Sequence, residues 1–199
     1  MDTVANWAQR LHPAQHQPAG EPVLVLVPLG EVAPELLGAL AARLGELLAA
    51  QVQVGAPLPV PASGLHPRRG QYLAPDLLRL LRQYLPAQAD LALGVTELDL
   101  YAPRLNFVFG QAELGGKVGV ISLARLRPGW YRQPPDPELL LLRALKEAVH
   151  ELGHLRGAEH CPRPTCVMHF SHALADTDHK DYRPCPRCQA YYPLRRPGG

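Results

Sequence analysis

HELGHLRGAEH, His150 to His160, sets three histidines and a glutamate in the order His-Glu-x-x-His-x-x-Gly-x-x-His. On a helix, His150 and His154 lie one turn apart on the same face. Both imidazoles can then reach one zinc ion at about 2.0–2.1 Å. Glu151 sits beside the first histidine, where a carboxylate can take a proton from water activated by a metal. Gly157 falls where the helix must stop and turn, because glycine accepts the left-handed conformation at little cost. That turn brings His160 back as a third ligand and leaves a fourth position open, the pattern of a catalytic zinc. His-Glu-x-x-His alone arises readily by accident. Five fixed residues over about 200 windows lower the chance expectation to the order of 10⁻⁴, which sets aside the reading of an incidental polar helix face.

The helix that carries the motif has a legible start. Asp136 can cap it, Pro137 fits its first turn, and Glu138 complements the positive end of its dipole. It is expected to run to about Arg156, with Leu139, Leu142, Leu145, Val149 and Leu152 packing inward.

Upstream, Pro22–Gly30 is a short apolar run that reads as a buried strand, followed by an amphipathic helix over Ala33–Gln51 and a strand at Val52–Val54. A proline-rich loop leads to a second helix, Ala74–Leu85, and a buried strand, Asp90–Thr96. Leu105–Gly110 and Lys117–Leu123 read as two strands separated by a Gly115-Gly116 turn. No strong pattern follows Gly157. The interleaving implies an α/β or α+β upper lobe over residues 21–157 and a small irregular lower lobe over 158–192. Residues 1–20 read as a flexible arm and 193–199 as a tail.

At 199 residues, 47% hydrophobic and 19% charged, the chain suits one core-forming domain. Its formal net charge of +2 is too small to argue for nucleic acid or an anionic membrane. No apolar run approaches the roughly 18 residues that span a bilayer. The first twenty residues lack the apolar region of a signal peptide, so a cytoplasmic location is expected; the chain is also expected to be a monomer.

All four cysteines, Cys161, Cys166, Cys185 and Cys188, fall in the last 39 residues. The first pair encloses four residues, the second forms a Cys-x-x-Cys, and 18 residues separate the pairs. These spacings fit a closed tetrahedral zinc site. Two disulfides or free thiols are the alternatives, less suited to a reducing cytosol. Of the other histidines, His12, His16 and His66 read as solvated. His169, His172 and His179 lie near the cysteines and could line a substrate pocket or replace a thiolate. Arg195 and Arg196 read as a solvated tail.

Met168 follows His160 by eight residues, and the whole resembles the metzincin zinc peptidases, in which a methionine forms the floor beneath three histidines. HELGHLRGAEHCPRPTCVM with the later CPRC is similar to one family among them, the archaemetzincins, and the resemblance extends upstream through DLYAPRLNFVFGQAELGGKVGVISLARL. It implies a zincin-like α/β (α+β) fold: a twisted mixed sheet with packed helices, a long active-site helix and a small zinc-stapled C-terminal lobe. It also implies two zinc ions. A catalytic one sits on His150, His154 and His160, with Glu151 as acid and base; a structural one sits on Cys161, Cys166, Cys185 and Cys188. The implied activity is hydrolysis of a peptide or protein substrate, which lies along an exposed edge strand.

Leu105–Gly110 is the candidate edge strand, an interior strand being the alternative. Some metzincins place a tyrosine two residues after the methionine; here that position is Phe170. No cysteine precedes residue 161, so a thiolate-latent zymogen is not expected. If the enzyme is an aminopeptidase, Glu113, Glu159 and Asp176 are candidates to hold the substrate amine. Two other readings are a nearly inactive or non-peptidase zinc protein of the same fold and a zinc-knuckle interaction module.

Overall fold

A computed structural model describes residues 22–87 and 89–192. The expected arm and tail, with His12, His16, Arg195 and Arg196, lie outside them. Eight strands and four α-helices follow one another along the described chain: β1 (Val23–Leu29), α1 (Pro34–Leu48), β2 (Gln51–Val54), β3 (Leu65–His66), β4 (Gln71–Leu73), α2 (Ala74–Gln83), β5 (Leu91–Thr96), β6 (Leu100–Tyr101), β7 (Gly110–Ala112), β8 (Val118–Ser122), α3 (Pro137–Leu155) and α4 (Leu174–His179). The main sheet runs β2-β1-β5-β8-β7. Its first four strands are parallel, and β7 closes one edge antiparallel to β8.

Every residue of β1, β5 and β8 is buried, which is why these strands read as unbroken apolar runs rather than alternating ones. Alternate side chains serve two cores. Leu24, Leu26, Leu91, Leu93 and Ile121 pack with α1 and α3; Val23, Val25, Val27, Ala92 and Val120 pack with α2. The sheet is thus covered on both faces, with α3, the helix that carries His150 and His154, on the α1 side.

Three differences from the sequence reading have physical causes. Leu105–Gly110 is a strand at its last residue alone: Val108 makes an isolated bridge to Leu100, and the edge strand begins at Gly110, opposite Ile121. Its β-rich composition serves an aromatic loop, with Phe107 and Phe109 edge-to-face at 5.2 Å. A second sheet, β3-β4-β6, was invisible because its strands are two or three residues long. After Gly157 the chain forms α4, whose six residues carry no apolar period.

α3 begins as expected, the Asp136 carboxylate accepting from Leu139 N at 2.9 Å with Pro137 in its first turn. Of the residues expected to pack inward, Leu145, Val149 and Leu152 are buried, but the buried face is wider than the leucine pattern and differs at the helix's first turns. Leu142 is exposed and Leu139 half-buried, while Arg143, Lys146 and Glu147 are buried beside Leu140, Ala144 and Ala148. Among the described residues, no helix is long and apolar enough to cross a membrane.

Candidate metal centres

Gly157 takes φ +86°. Its N–H donates to His154 O and that of Ala158 to Gly153 O, both at 2.9 Å, a paired cap that ends α3 and reverses the chain. The reversal returns His160 to the helix face that carries His150 and His154. A metal-binding atom from each of the three histidines lies within 4.8 Å of those of the other two.

The tautomers follow from the backbone. His150 Nδ1 is 2.7 Å from Val167 O, and His154 Nδ1 is 2.7 Å from Ala158 O. A carbonyl only accepts, so each Nδ1 carries the proton and each Nε2 presents a lone pair. His154 Nε2 stands 3.1 Å from His150 Nε2 and 3.2 Å from His160 Nε2. Three nitrogens at zinc distance from one tetrahedral centre would be about 3.3 Å apart. These lone pairs face one another as ligands do, not as hydrogen-bond partners. Burial pushes His150 well below the usual imidazole range and lowers His154, with buried Lys180 adding to both. All of this favours neutral imidazoles, and the donor set fits zinc.

Glu151 is fully buried beside His150, and its Oε2 makes no hydrogen bond among the described residues. Burial raises its carboxyl well above the usual range; Glu147 one turn away adds to the rise and Lys180 opposes it. A cation on the three histidines would favour its ionised form. Gly110 makes room for this carboxylate: a Cβ there would stand 2.5 Å from Glu151 Oε1. Met168 is fully buried. Tyr192 Oη shares its single hydrogen between Val149 O at 2.8 Å and the Met168 Sδ at 3.1 Å. A Cβ on Gly153 would meet that hydroxyl at 2.2 Å and the sulfur at 2.4 Å, so the small residue inside the motif is what lets the methionine lie under the helix.

The four cysteine sulfurs also gather within 4.8 Å of one another. All four are buried and unbridged, with Cys161 Sγ 3.8 Å from Cys185 Sγ. Sulfurs at zinc distance around a tetrahedral centre would be about 3.8 Å apart, whereas a disulfide would hold them near 2.05 Å. Cys166 N–H donates to Arg163 O and Cys188 N–H to Cys185 O, closing the two turns that present the thiols. Burial pushes the Cys166 and Cys188 thiols up. Cys185, which burial also pushes up, is brought down to about 6 by the Cys188 backbone N–H and the Cys166 thiol.

A cleft of about 600 Å³ opens over the histidines, walled by Phe107, Val108, Phe109, Leu114 and Phe170. Phe170 lies edge-on to His160, ring centres 5.0 Å apart. Among the described residues no lysine or arginine lines the cleft, while Glu147, Glu151 and Glu159 do. The other two acids considered for an amine lie elsewhere. Glu113 is paired with Arg82, and Asp176 caps α4 by accepting from His172 N and Ala173 N. His169 Nδ1 meets Cys161 O at 3.0 Å, and His169, His172 and His179 join neither ligand cluster. His66, expected in solvent, is half-buried and edge-on to Tyr101. Gly110, Gly153 and Tyr192 were not foreseen. Only the glycine within the motif carried a signal, as a helix-interior residue that costs stability unless something packs against it.

The model of peptidase family M54 matches residues 66–192. The archaemetzincin of Methanocaldococcus jannaschii is 44% identical over 165 residues, 83% of this chain and 89% of the relative. The crystal structure of archaemetzincin from Methanopyrus kandleri superposes with a TM-score of 0.76 at 40% identity, covering 87% of this chain and 94% of that one. A structure described as a zinc-dependent peptidase from Methanocorpusculum labreanum gives 0.77 at 30% identity, with 84% and 98% covered.

Proposed function

The chain belongs to peptidase family M54, the archaemetzincins, and we propose that His150, His154 and His160 hold the zinc with which this metallopeptidase cleaves peptide bonds. When bound there, zinc supplies Lewis acidity toward the scissile carbonyl and a water of lowered pKa. Glu151 is the proton carrier: its carboxylate takes a proton from the attacking water and delivers it to the leaving amine. The observation that carries this reading is the convergence of the His150, His154 and His160 Nε2 atoms beside a buried carboxylate whose Oε2 has no hydrogen-bond partner among the described residues.

β7 is the surface for the substrate backbone. Phe109 O accepts from Ser122 N, Glu113 N donates to Val118 O, and Gln111 lies opposite Val120. Residues 109, 111 and 113 therefore turn their backbone groups toward β8, and Gly110 and Ala112 turn theirs to the open edge. An extended peptide can pair with those groups above the histidines. The cleft's aromatic wall suits an apolar side chain, and among the described residues it offers no basic side chain to a free carboxyl end. Glu159 is the acid placed to hold a substrate amine.

The cysteine cluster holds a second, structural zinc in this proposal. His160 and Cys161 are thus neighbouring ligands of different metals, with Cys161 N–H tied to Met168 O at 2.9 Å. The test is cleavage of a peptide library by the zinc-loaded protein and by Glu151→Ala. Loss of cleavage with zinc retained supports the assignment; equal cleavage by both sinks it.

A further inference from the structure

Besides Glu151, α3 buries three charged residues: Arg143, Lys146 and Glu147. All three reach a single short segment, Thr177–Lys180. Arg143 forms a two-pronged pair with Asp178, both contacts at 2.7 Å. Lys146 Nζ donates to Thr177 O at 3.0 Å and Asp178 O at 2.9 Å. Glu147 Oε1 accepts from Thr177 Oγ1 at 2.8 Å and lies 3.0 Å from Lys180 Nζ.

The innermost pair, Glu147 with Lys180, is the unusual one. Both side chains are at most 3% exposed, and beyond this contact Lys180 Nζ has no hydrogen-bond partner among the described residues. A buried ion pair with an under-satisfied ammonium is a poor source of stability, because desolvation costs about as much as the attraction returns. What such a pair does well is select one arrangement of two segments over its neighbours.

From Lys180 the chain leads back to the metal site through backbone contacts. Asp181 N–H donates to Thr165 O at 3.0 Å, and Val167 N–H donates to Arg183 O at 3.3 Å. Val167 O then meets His150 Nδ1 at 2.7 Å. The path starts at Glu147 on α3 and closes at His150, three residues further along the same helix. It is a ring whose last link sets the direction of an imidazole.

We infer that the buried Glu147–Thr177–Lys180 cluster is a positioning device for His150, acting by fixing the carbonyl of Val167 against its Nδ1. The inference rests on His150 being a metal ligand. A carbonyl or carboxylate behind a ligating histidine fixes its tautomer and ring direction, and loss of such a partner typically weakens metal binding by about 10–100-fold.

The test uses cobalt(II) in place of zinc, which reports the two sites separately. Thiolate-to-cobalt charge transfer reads the cysteine site, and d–d bands with a chelator competition read the histidine site. The variant replaces the cluster by an apolar plug of similar volume: Glu147→Leu, Thr177→Val and Lys180→Met together. It removes both charges at once, so neither is left buried alone. The expected result is an unchanged cysteine-site spectrum and melting temperature with histidine-site affinity about 10–100-fold lower. A histidine site with wild-type affinity and spectrum in this variant would overturn the inference and show the cluster to be packing only. Should the triple variant not fold, Thr177→Val alone cuts one arm and leaves the charges paired. It must lower the affinity severalfold, and an unchanged affinity overturns the inference equally. Failure of the wild type to bind cobalt on the histidines is a different outcome, and it refutes the zinc assignment itself.

Discussion

Gly110→Ala should perturb catalysis while leaving His150, His154, His160 and Glu151 themselves unchanged in sequence. The new methyl carbon would stand 2.5 Å from Glu151 Oε1, 2.8 Å from Glu151 Cγ and 2.8 Å from Val120 O. Comfortable contacts to carbon are about 3.5–4 Å, so something must retreat by about 1 Å. Val120 O belongs to the backbone of a central strand and is held by the sheet. The Glu151 side chain is what yields. A displacement of about 1 Å from productive geometry costs on the order of 10²-fold in rate, or about 2.7 kcal/mol of barrier. Overpacking adds about 1–3 kcal/mol of destabilisation.

The assay is steady-state hydrolysis of a peptide substrate, with zinc content and melting temperature measured on the same preparation. Zinc should be retained, KM little changed and kcat reduced about 100-fold. The substitution should have no further effect in a Glu151→Gln background, since residues acting as a unit are not additive. A Gly110→Ala enzyme with kcat within about threefold of wild type would refute the argument that this glycine makes room for the base.

Tyr192→Phe removes a hydroxyl bound to Val149 O and Met168 Sδ. The expected loss is about 1 kcal/mol, read as a melting temperature lower by about 2–4 °C, and an unshifted transition would mean the hydroxyl is idle. Glu159→Gln should raise KM for peptides with a free amino terminus and leave N-acetylated peptides unaffected; an equal change in both would remove Glu159 as an amine anchor. Burial lowers the His150 and His154 pKa values, so at a given pH fewer protons compete with the metal than at a free imidazole. Histidine-site metal should therefore survive acidification through pH 6.5, the ordinary imidazole value, and leave only below it. Half-release above that pH would contradict the neutral-imidazole site.

The two clusters of candidate metal ligands were legible in the sequence because their chemistry is local: a helical i, i+4 pair, a turn glycine and cysteine pairs at fixed spacing. The buried strands were legible for the same reason, as apolar runs such as Val23–Leu29. What escaped depends on partners distant in the chain. Leu105–Gly110 has strand composition, but its side chains wall a cleft, and the true edge, Gly110–Ala112, is too short and too small-residued to announce itself. The leucines of α3 pointed to one inward face, yet the helix also buries Arg143, Lys146 and Glu147 because Asp178, Thr177 and Lys180 come from thirty or more residues away to meet them. Their spacing to His150, Glu151 and His154 did hold a clue, since 143, 147, 150, 151 and 154 share one helical face.

The most direct test of the two-metal arrangement is anomalous scattering at the zinc edge from crystals of the protein as purified. Two peaks per chain are expected, one about 2.0–2.1 Å from Nε2 of His150, His154 and His160 and the other about 2.3 Å from the four cysteine sulfurs. A single peak at the cysteines, or cysteines joined as disulfides, would contradict the account.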